Sequence, residues 1–245
     1  MNGIKHRIGK ELRSIAPDVR LQPTVILLGA SVLLTVYRYY GSPGFFDGHL
    51  ARFFAGTDRA PLYGTLYGFF SCFFLMLVVP AVLIRCVLKK RVGEFGLRAG
   101  ETRVGLAIVG LLLPLIVVLL LWPASRQAAF RAEYPLFRGA GRTLTLFVAY
   151  ELLYAVYYLG WEFFFRGFML FGLKDSVGAA NSILIQTIPS TLLHIGKPDG
   201  EIFAAIVAGI AFGAIALRTR SILYVFLLHW LIGVALDVFI VFGPG

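Results

Sequence analysis

The sequence predicts an all-α fold, a polytopic transmembrane bundle of seven or eight helices. Three observations predict it. Of 245 residues, 58% are hydrophobic and 15% charged, with a mean hydropathy of +0.81, against about 45–50% and about 25% in an average soluble domain. The apolar residues gather in seven long runs, and one span needs about 20 of them. Few segments alternate as strands do, and backbone inside a bilayer must satisfy its hydrogen bonds within its own segment, which a helix does. The composition excludes a disordered chain, a collagen-like chain and an ordinary soluble enzyme, and leaves no room for a second soluble domain.

The elements follow in order. Residues 1–20 are polar and basic and lack the apolar core and small-residue cleavage site of a signal peptide, so they read as a cytoplasmic lead-in. Leu21–Tyr40 is the first run, and the Gly/Pro-rich stretch after it suits a short segment on the membrane surface. Leu62–Leu88 is the second, with Pro80 a kink site, and Val104–Trp122 the third, with Pro114 inside it. Thr143–Leu173 is the fourth. Its 31 residues exceed one span, so it must tilt, kink near Gly160 or project beyond the membrane. Val177–His194, Glu201–Leu217 and Ser221–Phe242 complete the set. The chain divides into the lead-in, N-terminal transmembrane helices over 21–142 and a core over 143–242.

Lys and Arg number 23 against 13 Asp and Glu, a net charge of +10. The basic residues sit between the runs, where they meet lipid head groups and set topology, so membrane lipid and not nucleic acid is the expected partner. Crossing at each of the seven runs from a cytoplasmic N-terminus places 14 basic residues inside and 7 outside, the bias of the positive-inside rule. The expected localisation is therefore an integral cell or inner membrane protein. Cys72 and Cys86 lie in one run about 21 Å apart along a helix, too far for a mutual disulfide, and read as small buried hydrophobes.

The ionisable residues inside the runs carry the functional information. A charge at mid-membrane costs at least about 2.5–3.5 kcal/mol, so such groups face the bundle interior and usually have a task. They are Glu151, Glu162, Arg166, His194, His229 and Asp237, with Lys197 and Glu201 at a helix boundary. Glu162 and Arg166 stand four apart on one helical face. This suits a neutralising ion pair, or an arginine that keeps a reactive carboxylate ionised and oriented. One Glu and two His supply a base, an acid and a hydrogen-bond donor. They could equally be three ligands of a divalent metal such as zinc, but neither HExxH nor a cysteine cluster supports that. No GxSxG, P-loop or GxGxxG pattern is present.

The stretches GWEFFFRGFMLFGL, TLLHIGKPDGE and LRTRSILYVFLLHW, in that order and each on its own apolar run, resemble the CPBP family, the CAAX-protease and bacteriocin-processing (Abi) membrane proteins. The family core has an E-E-x-x-x-R helix, an F-x-x-x-H helix and an H-x-x-x-N helix. Glu162 and Arg166 match the second Glu and the Arg, His194 the second motif and His229 the third. Trp161 stands at the first Glu position, Ser190 at the Phe position and Gly233 at the Asn position. The resemblance implies an intramembrane endopeptidase that cleaves a peptide or protein near its membrane anchor, with water activated by glutamate and histidine and no cofactor required. It gives Glu162, Arg166, His194 and His229 catalytic roles, with His229 facing the oxyanion. Trp161, Glu201, Gly233 and Asp237 are expected around the cavity or its rim. The departures at Trp161 and Gly233 keep a non-proteolytic immunity, scaffold or chaperone-like member as the alternative. A small transporter using Glu151, Glu162 and Asp237 is a third reading.

Overall fold

The computed structural model describes residues 20–54, 57 and 59–243, so the basic lead-in lies outside the described residues apart from Arg20. These residues form nine helices and no strand. They are α1 (Leu21–Tyr40), α2 (Pro43–His49), α3 (Ala60–Val87), α4 (Thr102–Ala124), α5 (Ala128–Glu133), α6 (Leu144–Val177), α7 (Ala179–Leu192), α8 (Asp199–Thr219) and α9 (Leu223–Phe242). Six of them, α1, α3, α4, α6, α8 and α9, are long and apolar enough to cross a membrane. The chain is a polytopic helical bundle, with Leu28, Val32, Leu111, Leu119, Ile188 and Val207 pointing outward as a lipid-facing surface requires.

Of the seven runs, the fifth differs from the rest. It forms α7, only 14 residues long, or about 21 Å against a hydrocarbon core of about 30 Å. Gly178, at φ +83°, ends α6 and starts α7 in a conformation open to glycine. At its other end α7 gives way to the turn 193–198, which carries His194.

Three helices depart from regular α geometry. In α3, π-helical turns at Phe74–Val78 and Leu83–Val87 flank Pro80. In α4, one follows Pro114 at Val117–Leu121. Proline removes an amide donor and crowds the preceding turn, and a wider turn absorbs both effects. In α6 the π segment Phe163–Phe171 begins immediately after Glu162 and contains Arg166. It contains no proline, and such segments concentrate at functional sites. The expected kink at Gly160 has another basis. A Cβ there would lie 2.8 Å from the Phe73 Cα, so this glycine lets α3 and α6 pack backbone to backbone.

The core is aromatic. Phe163, Phe164, Phe165 and Phe168 are all fully buried around α6. Of the two cysteines, Cys72 is buried and Cys86 is exposed, both as free thiols. The buried-hydrophobe reading therefore holds for Cys72 only, because Cys86 lies at the outward face of the last turn of α3. The loop before α4 is stitched to the α8–α9 turn. Ile222 N–H donates to the Gly96 carbonyl at 2.9 Å, Ser221 Oγ to the Arg98 carbonyl at 2.5 Å and Tyr224 Oη to the Ala99 carbonyl at 2.5 Å. Arg220 pairs with Glu101 across the same seam. This clamp fixes the start of α9, and hence the height of His229 in the bundle.

Candidate active site

Glu162 lies at the centre of the site. It is fully buried, and its Oε1 accepts two hydrogen bonds, from Arg166 Nη1 at 3.2 Å and from His229 Nδ1 at 2.6 Å. The first partner is one turn along α6. The second comes from α9, 67 residues away in sequence. Glu162 Oε2 is buried with no partner. Arg166 is also buried, its guanidinium 5.5 Å from the centre of the Phe212 ring. The charges therefore neutralise one another in a site walled by phenylalanine.

The hydrogen bonds fix the histidine tautomers. A carboxylate only accepts, so His229 carries its proton on Nδ1 and leaves Nε2 free for chemistry. His194 Nδ1 lies 2.8 Å from the Ser190 carbonyl, which also only accepts, so the His194 proton is on Nδ1 as well. Ser190, at the family's Phe position, thus orients His194 through its backbone. The His194 ring meets Trp161 edge to face at 5.4 Å between centroids. The His229 side chain retains 22% exposure, so the site is reached from the histidine side and not through Glu162.

Trp161 is buried beside His194, with its indole Nε1 unpartnered. Its ring lies against His194, one residue before Glu162 in the chain. Gly233 lies one turn beyond His229, and a Cβ there would collide with the Tyr158 hydroxyl and lie 3.0 Å from Tyr158 Cζ. Tyr158 precedes Glu162 by four residues, and its ring is 4.6 Å from that of His229. Sequence reasoning passed over it, because a tyrosine in an aromatic helix reads as core. The signal available was its i, i+4 spacing to Glu162.

Asp237 and Glu201, expected at the rim of the cavity, each have partners of their own. Asp237 is buried against Glu151 and Tyr150, two turns beyond His229 on α9. It forms a separate polar pair between α6 and α9, because eight helical residues carry it about 12 Å along the axis. Glu201 accepts from Tyr134 Oη at 2.6 Å, and Lys197 pairs with Glu133. These contacts strap α5 and the loop after it over the α7–α8 turn. Burial and the Glu201 charge hold the Tyr134 phenol above its ordinary range, so it remains a donor. A recess of about 410 Å³ between α1 and α3, lined by Val36, Tyr40, Tyr67, Phe70 and Phe74, shares no residue with the site. Among the described residues, no group of three or more His, Cys, Asp and Glu is arranged to hold a metal ion.

Against known families, residues 143–235 match the model of the Rce1-like type II CAAX prenyl endopeptidases, which falls within the CPBP/Abi group. The match spans α6 to α9 and includes Glu162, Arg166, His194 and His229. No curated protein and no solved structure matches the chain.

Proposed function

We propose, from the premise that residues 143–235 belong to the CPBP/Abi family, that this membrane protein is an intramembrane endopeptidase whose working pair is Glu162 and His229. The observation that carries the reading is the 2.6 Å hydrogen bond from His229 Nδ1 to Glu162 Oε1. A buried carboxylate that fixes an imidazole tautomer and steadies the imidazolium is the arrangement of acyl-transfer triads. Water stands in here for the serine. His229 Nε2 takes the water proton as hydroxide forms a bond to the scissile carbonyl carbon, and returns it to the leaving nitrogen as the C–N bond breaks. His194 Nε2 faces the same water and orients it. Arg166 keeps Glu162 ionised through both steps.

This assigns His229 the base role that the resemblance gave to Glu162. The unpartnered Glu162 Oε2 favours a second reading, in which the carboxylate itself takes the proton. One measurement separates them. Glu162→Gln keeps an acceptor for His229 and leaves residual turnover in the first case, and abolishes it in the second.

The reading requires no metal. Chelator-insensitive turnover is the expected outcome. The substrate class is a peptide or protein cut near its membrane anchor. Full-length protein in proteoliposomes, given matched prenylated and unprenylated C-terminal peptides, tests it. Cleavage lost in His229→Ala supports the reading, and no cleavage of any peptide leaves a non-proteolytic role, which Trp161 at a carboxylate position favours.

A further inference from the structure

We propose that Tyr158 supplies the oxyanion donor of this site, an inference that rests on the hydrolytic reading. Attack on a peptide carbonyl moves an electron pair onto its oxygen, and a donor aimed at that oxygen is worth about 10²–10³ in rate. With His229 Nδ1 given to Glu162 and Nε2 engaged with the water proton, another side chain must face the developing charge. Tyr158 has the position for it. It lies one turn before Glu162 on α6, its ring packs on His229 at 4.6 Å between centroids, and it is 6% exposed, in the low-dielectric surroundings where a hydrogen bond to an anion is strongest.

The second observation is on α9. Gly233 follows His229 by four residues, hence on the same helical face. The Tyr158 hydroxyl fills the volume that a side chain at 233 would occupy, with Cζ 3.0 Å from a Cβ built there. Helix α9 is thus cut back to its backbone where α6 sends a phenol across. A phenol O–H is a donor at neutral pH. Trp161 Nε1, a buried donor without a partner, belongs to a ring packed on Tyr157, Phe165 and His194, whereas the volume beside Gly233 is filled by Tyr158. In the step itself, water oxygen bonds to the carbonyl carbon, its proton passes to His229, and the carbonyl π pair becomes an oxyanion held by Tyr158 O–H. The C–N bond then breaks as the carbonyl re-forms and His229 protonates the nitrogen.

The test uses the full-length protein in proteoliposomes with a membrane-anchored fluorogenic peptide, reading kcat and KM separately alongside thermal melting. Tyr158→Phe, which removes one oxygen, is expected to lower kcat about 10²–10³-fold with KM and melting unchanged. A side-chain swap makes the result specific. Gly233→Asn alone has no room beside Tyr158 and loses activity, whereas Tyr158→Ala combined with Gly233→Asn places an amide donor in the same volume and recovers at least tenfold over Tyr158→Ala. An active wild type with an equally active Tyr158→Phe overturns the proposal and leaves the hydrolytic reading standing. So does a kcat loss that follows melting and is not rescued by the swap. A wild type inactive on all peptides overturns the hydrolytic reading and this inference with it.

Discussion

Arg166 is a guanidinium with 2% exposure in an apolar helix, and its cost is met by one carboxylate and one aromatic face. Removing one member of a buried pair strands the other, at about 3–5 kcal/mol. Arg166→Ala is therefore expected to lower expression and melting temperature sharply, whereas Arg103→Ala, at an exposed position, leaves both unchanged; detergent melting curves decide it. This pair was legible in the sequence because four-residue spacing on a helix is local geometry. The Glu162–His229 bond was not, since only the packing of α9 on α6 brings together groups 67 residues apart. The Glu151 and Tyr150 partners of Asp237 were not legible for the same reason. Its charge within an apolar run indicated the bundle interior, but its height along α9 depends on the clamp at the α8–α9 turn. Tyr158 was invisible because its aromatic ring suits the core of any such helix, and its value lies in what Gly233 leaves open.

At the scale of elements, the seven apolar runs were legible to within a few residues, since mean hydropathy over a span reports lipid contact directly. Length was less so. The fifth run contains enough apolar residues for a crossing, but Gly178 and the turn 193–198 shorten its helix to 14 residues. Glycine contacts give these helices their spacing. A Cβ at Gly209 would lie 2.6 Å from Thr187 Cγ2, where α7 meets α8, and Gln186 Nε2 donates to the Gly209 carbonyl at 2.8 Å. Gly209→Val is expected to push α7 from α8 and destabilise the protein by about 1–3 kcal/mol, the usual cost of overpacking. Because α7 carries His194, turnover should fall more than stability. Gly160→Leu should instead separate α3 from α6 and lower melting with a smaller effect on kcat per folded molecule. Comparing melting and turnover for the two variants distinguishes a scaffold contact from one that positions the site.

For the whole molecule, the distribution of basic residues predicts a cytoplasmic N-terminus, with the loop between α3 and α4 on the same side and the loop between α4 and α6 opposite. In a Cys86→Ser background, Arg91→Cys and Arg126→Cys, both at exposed positions, should react with impermeant maleimide from opposite faces of sealed vesicles, and reaction of the first from outside the cell would invert the assignment. The unequal lengths of α6 and α7 have a consequence for the surrounding lipid. Helix α7 presents Leu184, Ile188 and Leu192 outward over a height of about 21 Å, whereas α6 beside it has 34 residues. Hydrophobic mismatch of this kind is relieved by thinning the nearby bilayer, at fractions of a kcal/mol per Å. A dimple at α7 would lower the head-group region and its water toward His194 and give an anchored chain a short path from leaflet to histidine. Turnover should then fall as acyl chains are lengthened in an otherwise constant bilayer, with melting temperature unchanged; a rate indifferent to chain length would mean that water reaches the site from within the bundle.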